Sequence, residues 1–171
     1  MFSLNSIENT SGQNEDIFFK HYTAENKVSV SNLSVVKKYL FEKETFYHYE
    51  FALFNNYLRY FEYSYVINML SIVQKYTESI QDRQEYKVEI ISFYTNLSYY
   101  FLEKKSLILS KKYFCILNKM ISRNIQNISI SQLLKFKFLE AVIQRKPLDP
   151  LVEESKKFEM EWLYEDFKKL Q

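Results

Sequence analysis

The chain has 171 residues, a mass of 20.8 kDa and a formal net charge of +2, with 15 Tyr and 15 Phe against one Gly and two Pro. A chain of this length and apolar content buries a core without disulfides or metal, and its composition excludes a disordered tail, a collagen-like repeat and a loop-rich secreted scaffold. Gly12 alone does not supply a phosphate-cradling loop or a nucleophile elbow, which sets aside most Rossmann, P-loop and α/β-hydrolase chemistry.

The single Cys115 excludes an intramolecular disulfide and a cysteine zinc site and points to a reducing compartment. The longest uncharged stretch is the 13 residues 90–102, short of the ~20 that a membrane span needs. No basic region followed by an apolar run marks a signal peptide. A cytoplasmic protein is expected.

Residues 1–14 are rich in Ser, Asn, Thr, Gln and Gly and read as a flexible polar tail, and residues 15–171 as one helical domain. Helical spacing begins with a short element over 15–24. Ser31 offers an N-cap for a helix to about Phe41, and Thr45 for one running through Phe61. Ser64 opens a helix to about Ile80, Asp82 or Gln84 one to Glu103, and Ser106 one to Arg123. A further helix runs from about Ser131 to Arg145. Pro147 and Pro150 mark a break, after which a last helix continues towards the C-terminus with Pro150 in its first turn.

Connections of two to eight residues make neighbouring helices antiparallel. The first members of successive pairs start near 46, 86 and 131, a spacing in the range of helical-repeat arrays. The expected architecture is all-α, antiparallel helix pairs stacked as a TPR-like α-solenoid. Each first helix carries a polar stripe at steps of three and four. The stripes are His48, Ala52, Asn55, Arg59 and Glu62; then Glu85, Glu89, Ser92, Asn96, Tyr99 and Glu103; then Leu133, Lys137, Glu140 and Gln144.

Charge is uneven along the chain. Residues 31–145 carry sixteen basic and ten acidic groups, and from Lys104 to Lys137 there are eight basic residues and no acid. This stretch reads as a solvated outer face, with attraction to an anionic partner as the sharper alternative.

Catalysis is not expected. His21 and His48 are the only histidines, and Glu44 with His48 forms an i, i+4 pair without a third ligand, so no metal or other cofactor is implied. Cys115 lies in an apolar segment that would bury it as an inert small hydrophobe. Peptide binding has a better physical basis. An Asn amide pairs with both the N–H and the C=O of an extended peptide whatever its sequence, and Arg59 adds a fork for a carboxylate. The candidate contact residues are Asn55, Asn56, Arg59, Ser92, Asn96 and Tyr99. On this reading Asn96→Ala weakens peptide binding and has little effect on folding.

The segment Tyr39–Asn56, YLFEKETFYHYEFALFNN, resembles the central signature of the Rgg/GadR/MutR regulators of Gram-positive bacteria. In that signature a Tyr-Leu-Phe run precedes a helix with an aromatic, a Tyr-Glu pair and a Leu-Phe-x-Asn step, here Tyr39, Leu40, Phe41, Phe46, Tyr49, Glu50, Leu53, Phe54 and Asn56. The later segments ISFYTNLSYYFLEKKSLILSKKYFCILNKM and FEMEWLYEDFKKL are similar to later helices of the same domain, which places the resemblance over about residues 33–170. Where the family has a Trp-Gly step this chain has Phe46 and Tyr47, and the first helical repeat is expected to be absent or shortened.

The resemblance implies the regulatory half of such a quorum-sensing type regulator: a helical domain that binds a short signalling peptide on its concave face and forms a homodimer. The family's helix-turn-helix domain is not carried over, because Lys20 and Lys27 are the only Lys/Arg in residues 1–30 and give no recognition helix. An alternative is a protein-interaction module whose partner is a folded protein such as a full-length regulator. Apolar positions on more than one side of the last helix place Met160, Trp162 and Tyr164 in the expected dimer interface.

Overall fold

The computed structural model describes residues 30–124 and 128–171, so the expected tail and the expected short helix over 15–24 lie outside the described residues. Among those residues every regular element is helical. In chain order they are α1 (Val30–Phe41), α2 (His48–Tyr57) continued by a 3₁₀ turn (Leu58–Tyr60), α3 (Tyr63–Ile80), a 3₁₀ turn (Gln84–Tyr86), α4 (Lys87–Glu103), α5 (Leu107–Asn124), α6 (Ile130–Ile143), α7 (Asp149–Lys156) and α8 (Trp162–Lys168). No helix among them is long and apolar enough to cross a membrane.

Local chemistry fixes several ends. Ser129 and Gln132 close a capping box on α6, the Gln132 N–H donating to Ser129 Oγ at 3.2 Å and the Ser129 N–H to Gln132 Oε1 at 3.3 Å. At α2 the Glu50 carboxylate accepts the N–H of Tyr47 at 3.1 Å, so the helix starts at His48 instead of after Thr45. Pro150 sits in the first turn of α7 as expected.

Three helices end in one way. The residue after each last turn lies in the left-handed region at φ 56°, and it is Lys105, Arg145 and Glu159, never glycine. In each case the next N–H reaches back five residues: Ser106 to the Phe101 carbonyl at 2.8 Å, Lys146 to Ala141 at 2.8 Å, Met160 to Ser155 at 3.0 Å. These Schellman ends satisfy carbonyls that the helices leave open. Hydrogen bonding and burial of the following segment outweigh a left-handed penalty of ~1–2 kcal/mol per residue at these non-glycine positions.

Two long helices expected from the sequence are interrupted. The one expected through Phe61 ends at Tyr57, tightens into the 3₁₀ turn and leaves Phe61 extended. Tyr100 donates its hydroxyl to the Phe61 carbonyl at 3.0 Å, taking the acceptor that a continuing helix would use, while the Phe54 and Phe61 rings pack at 5.6 Å. The last helix is two, α7 and α8, separated by the turn at Glu159, which lets Leu163 and Phe167 enter the core with no exposure. Phe167 lies against Tyr99 at 5.2 Å and Phe138 at 5.5 Å.

The core is one cluster threaded by α4, in which every residue from Phe93 to Phe101 is buried. On one side α4 and α5 form an antiparallel hairpin, with Ser110 Oγ donating to the Ser98 carbonyl at 2.9 Å and Phe101 stacked on Tyr113 at 5.5 Å. Towards α3, Thr77 and Tyr94 share a hydrogen bond at 3.2 Å while Tyr63 meets Phe101 near the other end, again antiparallel. Towards α2 the order runs in parallel, Phe51 on Phe93 at 5.1 Å and Asn55 on Asn96 at 3.0 Å. α6 touches α4 as well, with Gln132 donating to the Val88 carbonyl at 3.3 Å. The first helices of the three expected pairs start at 48, 87 and 130.

Cys115 is exposed, not buried as expected. α5 turns Tyr113, Phe114 and Leu117 inward, and a residue ~100° round the helix from Phe114 faces out. The basic stretch is largely an outer face, with Lys104, Lys105, Lys111, Lys112, Lys119 and Arg123 exposed. Lys135 departs from it: it is buried, its ammonium 5.9 Å from the Trp162 ring.

Candidate functional site

The polar stripes of α2 and α4 meet edge to edge. His48 Nδ1 lies 3.3 Å from Glu89 Oε2, Asn96 Nδ2 donates to Asn55 Oδ1 at 3.0 Å, and Arg59 and Glu103 are close enough for the guanidinium to act on the carboxylate. The first two pairs are both offset by 41 residues, which is the register of two parallel helices one repeat apart. His48 therefore meets Glu89 and not Glu44, because Glu44 precedes the first turn of α2.

The middle of this face is an amide pair. Asn55 is 8% exposed and Asn96 4%. Among the described residues neither the Nδ2 of Asn55 nor the Oδ1 of Asn96 has a protein partner, and neither is fully occluded. The pair thus offers one donor and one acceptor side by side. It also gives Asn96 a role in packing α2 on α4, so an effect of Asn96→Ala on folding is now expected, contrary to the sequence reading.

Both ends are charged. Burial pushes the Glu89 carboxyl above its usual range and His48 draws it part of the way back. At the other end, burial raises Glu103, opposed by Arg59 and Lys104, with the nearby Asp166 raising it further. Asp166 on α8 is itself raised by burial and opposed by Lys169, whose Nζ is 3.3 Å from Oδ1, and by Arg59. The stripe therefore ends in a mixed cluster drawn from three elements, the 3₁₀ turn, α4 and α8. Arg59 also lies 5.8 Å from the Tyr60 ring.

Of the residues chosen from sequence, the structure brings Asn55, Asn96 and Arg59 onto this face with Ser92 half-buried beside them. Asn56 is exposed, one helix step round from Asn55. Tyr99 is 3% exposed and lies under Phe167. Glu62 leaves the stripe because the helix ends before it, and pairs with Lys37. On α6, Lys137 pairs with Glu154, and Glu140 accepts from Gln144 at 3.1 Å. Met160, Trp162 and Tyr164 are half-buried and pack against the chain's own core, with Phe158 more open at 43%.

Sequence reasoning missed Asp166 as a member of the stripe's charged end, since nothing in its spacing places α8 against α4. His48 and Glu89 fall on separate stripes in the sequence, and the 41-residue offset they share with Asn55 and Asn96 is the signal that pairs them. No group of three or more His, Cys, Asp or Glu arranged to hold a metal is found among the described residues.

A family model described as HTH-type transcriptional regulator Rgg, C-terminal domain, matches residues 5–147. The match begins well before the expected residue 33 and ends ahead of α7. No curated protein and no solved structure matches the chain. With an all-helical fold and a match over most of its length, the chain belongs to the Rgg family of transcriptional regulators, as a C-terminal regulator domain.

Proposed function

We propose that this domain is a cytoplasmic sensor that takes a short extended peptide along the α2–α4 face and dimerises through its C-terminal helices. The observation that carries the reading is the Asn55–Asn96 pair, whose remaining Nδ2 donor and Oδ1 acceptor have no partner among the described residues and stand at the centre of an aligned polar stripe. One peptide unit has the complementary C=O and N–H, so recognition there is independent of side chains. Ser92 and Arg59 flank the pair, Arg59 suited to a carboxylate, while Asn56 borders the face and Tyr99 supports it from beneath Phe167.

The parallel register of α2 and α4 supports a TPR-like stack of helix pairs, whose first helices line one face. For the dimer, Met160, Trp162 and Tyr164 stay partly open beside the exposed Phe158, a surface that a second copy related by a two-fold axis would cover.

Calorimetry of the full chain against apolar heptapeptides selected from a displayed library tests the peptide reading. One peptide per chain should bind, and Asn55→Ala and Asn96→Ala should each weaken it, measured well below their melting temperatures. Absence of micromolar binders, or binders indifferent to both substitutions, rejects it.

A further inference from the structure

The far side of α4 carries a second arrangement that the stripe does not use. Where the end of α3, the start of α4 and the end of α5 converge, they enclose an open cavity of about 320 Å³, within the size range of small-molecule sites. Its floor is apolar, formed by Ile90, Ile116 and Met120, with the Tyr94 and Thr77 hydroxyls joined at 3.2 Å at its base. Five charged side chains line the walls. Glu78 and Asp82 stand on the α3 side, and Lys87, Lys119 and Arg123 on the α4–α5 side.

Glu78, Asp82, Lys119 and Arg123 are exposed and Lys87 is half-buried, and what distinguishes them is their arrangement, acids on one wall and bases on the other. None of the five forms an ion pair or hydrogen bond with another described residue, although acids and bases line one cavity. Two of them also oppose the helix dipoles. Glu78 is in the last turn of α3, where the dipole is negative, and Lys87 is the first residue of α4, where it is positive. Each placement costs stability that a reversed pair of charges would have gained. Glu78 adds to the negative end of α3 and Lys87 to the positive end of α4, while Arg123 is favourably placed in the last turn of α5, so one wall of the cavity is negative and the other positive.

We propose that this cavity binds a small zwitterion with an apolar side chain, an amino acid or an apolar dipeptide. Its ammonium lies against Glu78 and Asp82, its carboxylate against Lys87, Lys119 and Arg123, and its side chain on Ile90, Ile116 and Met120. A ligand with both charges meets both walls through charge-assisted hydrogen bonds, whereas a bare anion or a bare cation meets only one. The site is independent of the peptide reading, because α4 presents Ile90 and Tyr94 to it and Glu89 and Asn96 to the stripe.

The test is a titration of the full chain, labelled at its methionine methyls, with L-leucine, with Leu-Leu, and with N-acetyl-Leu-Leu-amide, which has no terminal charge. The Met120 methyl resonance should shift and saturate with one of the two free ligands, and which of them binds better separates an amino-acid site from a dipeptide site. The blocked analogue should bind about ten-fold more weakly or less, as expected when charge-assisted hydrogen bonds are lost. Asp82→Asn and Arg123→Gln should each weaken the better ligand several-fold with melting temperature unchanged, since both side chains are exposed. The proposal is overturned if neither free ligand shifts Met120 at millimolar concentration, if the blocked analogue binds equally well, or if both charge variants bind as the parent does.

Discussion

Asn96→Ala removes the donor that Asn55 Oδ1 holds at 3.0 Å, at a place where the two residues are 4% and 8% exposed. The lost bond is worth ~1 kcal/mol net, and the acceptor left on Asn55 adds a desolvation penalty, for a total of about 2 kcal/mol. In a domain of this size each kcal/mol moves the melting temperature by ~2–4 °C, so a fall of about 4–8 °C is expected. Asn55→Ala should cost a similar amount, because it strands the Asn96 amide. The double variant strands neither group and should be more stable than the sum of the singles predicts, by about 1 kcal/mol. Scanning calorimetry and urea unfolding of the four proteins give the cycle. Single costs that add to within ~0.3 kcal/mol would show that the two amides do not act as a pair, and the account of the α2–α4 face would fail.

Glu50 is burial-raised in part, but the Tyr39 hydroxyl, its own and the Tyr47 backbone N–H groups and Lys43 hold it below the usual carboxylate range. A depressed folded value contributes stability above the unfolded value and loses it as pH falls through the folded one, so Glu50→Gln should flatten the acid limb of a stability–pH curve, which urea melts between neutral and acid pH will read. Glycine at Lys105, Arg145 or Glu159, each at φ 56°, should raise stability by ~0.5–1 kcal/mol, measured by chemical unfolding; loss of stability would mean that the side chains there make contacts of greater worth. Light scattering should give twice 20.8 kDa for the chain and the single mass for Tyr164→Glu. Exposed Lys104, Lys105, Lys111, Lys112, Lys119 and Arg123 should give only non-specific DNA retention in a gel shift, lost between about 50 and 200 mM salt.

The first helices starting at 48, 87 and 130 were legible because aromatic and aliphatic spacing is strong there, and each expected start fell within a turn of the observed one. Asn55 and Asn96 were legible as members of a common face for the same reason. What spacing does not encode is where a helix is cut. α2 stops at Tyr57 because a tyrosine 39 residues away claims the Phe61 carbonyl. The final helix is cut because Leu163 and Phe167 gain more by entering the core than by extending α7. Nor does spacing show that Lys, Arg and Glu adopt a backbone usually left to glycine. The charged end formed by Arg59, Glu103 and Asp166 depends on that second cut and was invisible for that reason.

A helix buried at every position from Phe93 to Phe101 has consequences for how the sequence can vary. α4 meets α2, α3, α5, α6 and α8, so from Phe93 to Phe101 it has no position at which a substitution goes unnoticed. The outer faces of α3 and α5 can drift one residue at a time, whereas α4 tolerates mainly changes that a neighbouring helix compensates at once. The polar stripe and the charged cavity lie on opposite sides of this same helix. Selection for a new ligand on one side must therefore work within the shape that the other side already imposes.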